Sequence, residues 1–128
     1  MSYTKGHRYI TVPAGGGTNQ LPYREIQTPA YGSTVNIAAL DSRSESIKVE
    51  FATITGAMTL TADVNTPYAL DELTIVLPAD STGRTVTFST GFTVTASTIV
   101  LTSSAVGVVK FVFSTATQTW VEASRAIN

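Results

Sequence analysis

A chain of 128 residues and 13.5 kDa suits one domain, large enough to bury roughly two-thirds of the surface that its unfolded form exposes. Charged residues make up 13%, with 8 Lys+Arg against 9 Asp+Glu, so there is no basic footprint for nucleic acid or an anionic membrane surface. Cysteine is absent, which excludes a disulfide framework, a thiolate zinc site and a cysteine nucleophile together.

No apolar run approaches the 18 or so residues needed to span a bilayer, and the N-terminal MSYTKGHRYITVP lacks the apolar core of a signal peptide. A soluble protein without a membrane partner is expected. Serine and threonine form about a quarter of the chain, and many threonines alternate with Val, Ile, Leu or Phe. That is the composition of pleated, half-buried strands, and no amphipathic helical window competes with it. The class is all-β.

Residues 1–31 differ from the rest. They hold Pro13, Pro22 and Pro29, the triplet Gly15-Gly16-Gly17 and four of the five tyrosines, with few aliphatic side chains. Short strands are expected at Arg8–Val12 and Tyr23–Gln27, kept apart by glycine and proline, which argues against a central place in a sheet. Two readings stand for this N-terminal arm. It is either an edge hairpin folded onto its own domain or an extended segment whose backbone and tyrosines, Tyr9 and Tyr23 among them, reach a neighbouring subunit.

From residue 32 to 128 a single β-domain is expected. Val35, Ile37 and Ala39 share a face, and Asp41-Ser42-Arg43-Ser44 closes that strand with a polar turn. Ile47, Val49 and Phe51 point inward while Lys48 and Glu50 point out, and Met58 and Leu60 alternate with Thr59 and Thr61. A loop follows at Asp63, Asn65 and Pro67. Leu73, Ile75 and Leu77 then take one face with Val76 on the other, before a turn at residues 78–83. Val86 and Phe88 lie inward in Arg84–Phe88, Gly91 permits a change of direction before Phe92–Val94, and Ile99 and Leu101 oppose Val100.

The strand Val106–Phe113 is apolar on both faces, with Val109, Phe111 and Phe113 on one side and Val108 and Val112 on the other. Burying one such side chain is worth roughly 1.5–3 kcal/mol, so the second face calls for a cover. In a monomer the cover is another strand or the arm; in an oligomer it is the same face of a neighbour. Many short strands suit an antiparallel β-sandwich or jelly-roll-like barrel, which buries only one face of each sheet. Association of several copies is therefore expected, with Tyr9, Tyr23, Val100, Val108 and Val112 as interface residues. A hairpin at Ser114–Gln118 returns the chain along Phe111 and Phe113, making Trp120 a core cross-strand partner and not a sugar platform. A faint echo relates Thr55–Ala62 to Thr90–Ala96, explained equally by equivalent strand pairs and by chance.

The segments Leu73–Pro78, Gly83–Phe88 and Val108–Phe113 followed by Trp120 resemble a β-rich module of tailed-bacteriophage virion proteins. In that module a GRTVTF-type strand, a small-residue stretch, a TFVY-type strand and a TW hairpin strand recur in this order. The last turn departs from it, with Phe113–Thr117 where the family often has Tyr-Asp-Gly. The resemblance implies a virion structural role as a homotrimer, and a single domain with an arm best fits a capsid decoration (cement) protein. Such a protein partners itself and the major capsid protein on the capsid surface, after assembly in the host cytoplasm. The alternative is a tail-fibre or spike module that binds a host-surface glycan.

No enzyme, cofactor or metal is expected. His7 is a lone histidine in a polar segment, and Asp71 and Glu72 point to opposite faces as a solvated strand start. Gly15-Gly16-Gly17 lacks the lysine and helix of a phosphate loop. Asp63 and Asn65 offer two of the six to eight oxygens that calcium takes.

Overall fold

A computed structural model describes residues 23–128. The chain forms ten strands: β1 (Arg24–Gln27), β2 (Thr34–Ile37), β3 (Ser46–Glu50), β4 (Met58–Ala62), β5 (Glu72–Pro78), β6 (Arg84–Phe88), β7 (Phe92–Thr93), β8 (Thr98–Leu101), β9 (Val106–Ser114) and β10 (Thr119–Ile127). No helix occurs among the described residues. Two mixed sheets result, one of six strands in the order β1-β3-β5-β9-β10-β7 (sheet A) and one of four in the order β2-β4-β6-β8 (sheet B).

The first six strands alternate between the sheets. β1, β3 and β5 lie side by side and parallel in sheet A, with Glu25 beside Ile47 and Ile47 beside Leu73. β2, β4 and β6 do the same in sheet B, with Val35 beside Leu60 and Leu60 beside Phe88. The chain therefore winds three times, laying one strand in each sheet per turn. A parallel bridge between Ile54 and Ala79 stacks the corners of the second and third turns. The winding then stops: β8 runs antiparallel to β6, and β9 runs antiparallel to both β5 and β10.

The all-β class is as the sequence implies, but an antiparallel sandwich or jelly roll is not what the pairing forms. Parallel neighbours need a crossover connection, usually a helix. Here the crossover from β1 to β3 is itself a strand, β2, in the opposite sheet. The connections are thus short loops of five to nine residues, with no helix to announce the parallel pairing. Period-two alternation reports which face a side chain takes, not which strand lies beside it.

The core lies between the two sheets. Leu73, Ile75, Leu77, Val109, Phe111 and Phe113 of sheet A meet Met58, Leu60, Val86, Phe88, Ile99 and Leu101 of sheet B, all buried. Phe88 crosses the interior to Phe111 and Phe92, with ring centroids 5.6 and 5.3 Å away. Trp120 is buried as expected, edge-on to its cross-strand partner Phe113 at 5.3 Å. Its Nε1–H donates to the carbonyl of Asp63.

Of the expected arm, the strand at Arg8–Val12, Tyr9, His7 and the glycine triplet lie outside the described residues. The strand expected at 23–27 is β1, the edge of sheet A. Its anchor is Glu25, whose carboxylate accepts hydrogen bonds from the Leu40 and Asp41 amides, the Ser44 hydroxyl and the Gln27 side chain. Burial opposes a charge there, but these four donors together hold the carboxyl below its ordinary value of 4.5. The two segments of the sequence echo occupy unlike places, since β4 lies in sheet B and β7 in sheet A.

Candidate interaction surface

β9 is the centre of the outer face of sheet A. Val109, Phe111 and Phe113 face the core, whereas Val106, Val108 and Val112 on the other side are half-buried and Lys110 is exposed. Val76 of β5 stands across from Val108, and Val121 of β10 across from Val112. The second apolar face of this strand is thus partly covered by its own neighbours. The rest of the cover is left open among the described residues.

Val100 does not join Val108 and Val112. It lies 60% exposed on β8, on the outside of the opposite sheet. Tyr23 is exposed at the start of β1, with the guanidinium of Arg43 4.8 Å from its ring centroid. Arg43 also forms a bidentate pair with Asp41, whose carboxyl it holds far below the usual range. Tyr9 lies outside the described residues, and of the other four expected at an interface the fold brings together Val108 and Val112.

A feature that strand patterns do not foretell stands at one end of this face. The turn between β4 and β5 projects Leu70, 76% exposed and with a φ of 68°. Its N–H donates to the carbonyl of Phe113 at 2.9 Å, fixing the turn to the end of β9. Beside it runs a groove of about 560 Å³ whose lining includes Leu70, Val112, Ala116 and Val121 and no charged side chain. Leu40, in the corresponding turn of the preceding winding, is 82% exposed. The one signal in the sequence is the apolar run Ala69-Leu70 placed in a loop, directly before two acidic residues.

Those acidic residues differ from the solvated pair expected. Glu72 is exposed, but Asp71 is buried, and its carboxylate accepts the Tyr68 amide at 2.9 Å. Asp71 therefore builds the turn that holds Leu70 outward. Its backbone carbonyl accepts the Phe113 amide as well. Asp63 likewise organises a turn, accepting the amides of Asn65 and Thr66. Tyr31 packs against the core and donates its hydroxyl to the Ala57 carbonyl.

The remaining ion pairs fasten loops to strands. Arg125 grips the Glu122 carboxylate through two nitrogens and donates to the carbonyls of Ala96 and Thr98. The guanidinium holds the Glu122 carboxyl below its ordinary value of 4.5. Arg84 forms a similar fork on Asp80. Among the described residues no three His, Cys, Asp or Glu gather as metal ligands would. No helix there is long and apolar enough to cross a membrane. Comparison of the chain with protein-family models and with curated protein sequences finds no match.

Proposed function

We propose that this chain is a non-enzymatic structural protein that works as one of several copies. The observation that carries the reading is the apolar end of the outer face of sheet A, where a strained backbone holds Leu70 in solvent beside an uncharged groove. Exposed apolar surface of this kind lowers solubility unless a partner covers it. In the specific form that the virion resemblance implies, the protein is a trimeric decoration of the phage head, bound on its outer surface to the major capsid protein. Light scattering of the purified chain and binding to shells lacking it test this: a stable monomer that leaves such shells bare sinks it.

A second reading, a fibre or spike module that binds a host-surface glycan, draws on Tyr68, exposed in the loop before β5, since the ring of Tyr23 is already faced by the Arg43 guanidinium. Aromatic faces of that sort suit sugar rings. Host polysaccharide that leaves the thermal midpoint unmoved removes it.

A further inference from the structure

We infer that Leu70 of one copy seats in the groove beside Leu70 of the next, so that this end of the outer face of sheet A is the contact through which copies of the chain associate. The inference rests on the reading that copies associate and goes beyond it by assigning the surface and its anchor.

The backbone is the first ground. A leucine in the left-handed region is uncommon, because Cβ crowds the following carbonyl; glycine and asparagine take that conformation far more readily. The Asp71 carboxylate, the Tyr68 amide and the Phe113 carbonyl over-determine the turn. The result is an aliphatic side chain thrust into water, a combination that does nothing for the isolated fold. Sparsely populated backbone of this kind collects at binding clamps.

Complementarity is the second. The projecting leucine and the groove lie side by side at one end of this face, so a copy that offers the knob also offers the hole. Two copies related by a twofold axis, each seating its Leu70 in the other's groove, use the same patch and close as a pair, whereas a head-to-tail contact closes only where its rotation makes a ring. The groove has an apolar lining without convergent charged groups, which suits an aliphatic side chain better than a polar small ligand.

Size is the third. The strands of sheet A hold 4, 5, 7, 9, 9 and 2 residues, and at about 3.4 Å per residue and about 4.8 Å per strand they give an outer face of about 600 Å². With the Leu70 turn added, two such faces reach the lower end of the ~1,200–2,000 Å² in total that specific interfaces bury. The charges of the face are mixed, with Lys48 and Lys110 near Glu50 and Glu72 on neighbouring strands, so like faces meet without a field of one sign.

The test is sedimentation velocity of the full chain at micromolar concentration, with three variants. Leu70→Asn suits the left-handed backbone and removes only the apolar knob; Ala116→Glu puts a charge on the exposed hairpin side of the groove; Val100→Thr alters the outside of sheet B. The wild type is expected at two or three times 13.5 kDa. Leu70→Asn and Ala116→Glu are expected to weaken association at least about tenfold with the circular dichroism unchanged, and Val100→Thr to leave it intact. A wild type that assembles while both Leu70→Asn and Ala116→Glu keep its mass overturns the assigned surface and leaves the assembly reading standing. So does dissociation by Val100→Thr alone. A wild type that is monomeric, its groove filled by its own N-terminal segment, overturns both.

Discussion

The indole Nε1–H of Trp120 donates to the backbone carbonyl of Asp63 at 3.1 Å, fastening the final hairpin to the turn that follows β4. It adds a side-chain tie to the β5–β9 ladder that already joins the closing antiparallel strands to the wound part of the chain. Trp120→Phe keeps an aromatic ring against Phe113 and loses the bond. It should lower the unfolding free energy by about 1–3 kcal/mol in urea titrations followed by circular dichroism. No loss would mean that the indole bond adds nothing to the packing of the ring against Phe113.

Phe111 is buried on β9 at the meeting of the two sheets, against Phe88 and Phe92 at 5.6 and 4.9 Å. Phe111→Ala leaves a cavity that neither sheet can close, at a cost of about 3–5 kcal/mol. A loss under about 1 kcal/mol would show that the strand faces the other way.

Gly91 adopts a φ of 98°, and a Cβ there would run into the carbonyl oxygen of Ala62. The same glycine accepts the Trp120 amide through its carbonyl. Gly91→Ala combines an unfavourable backbone conformation with a backbone collision, and should destabilise the fold by about 3 kcal/mol or more. A neutral alanine would mean that the approach of this turn to β4 is wrong.

Glu25 and Glu122 are both held below the ordinary carboxyl value of 4.5, Glu25 by four hydrogen bonds that outweigh its burial and Glu122 by Arg125. The folded state therefore binds fewer protons than the unfolded one in this range. The stability they contribute is fully present above about 4.5 and is lost as pH falls through their lower folded values. Urea midpoints measured from neutral to acid pH should fall below that point. Glu25→Gln should be less stable at neutral pH and show a shallower acid decline. Two curves of the same slope would rule out Glu25 as a source of the acid sensitivity.

Much of the fold is legible in the residues. The inward faces at Ile47 and Val49, at Leu73, Ile75 and Leu77, and at Val109, Phe111 and Phe113 are buried as their alternation implies. Trp120 is core for the same reason. The winding is not legible, because its turns differ in length. Arg24 pairs with Ser46, 22 residues on, but Ser46 pairs with Glu72, 26 residues on. In sheet B the offsets are 25 for Thr34 with Thr59 and 28 for Met58 with Val86. Without a constant period, stacked strands leave no repeat in the sequence. β10 extends to Ile127 across an irregularity between Glu122 and Ser124, where alternation breaks and the strand pattern ends early.

The candidate surface was legible only on its strand side. Val108 and Val112 announce a second apolar face, since they oppose core residues on one strand. Leu70 does not, because its exposure depends on a buried Asp71 that reads, beside Glu72, as ordinary solvated charge.

The central claim is that the chain works as assembled copies, and its mass in solution tests this most directly. Sedimentation equilibrium of the full chain over a range of micromolar concentrations should give two or three times 13.5 kDa. A mass of one chain across that range would contradict it.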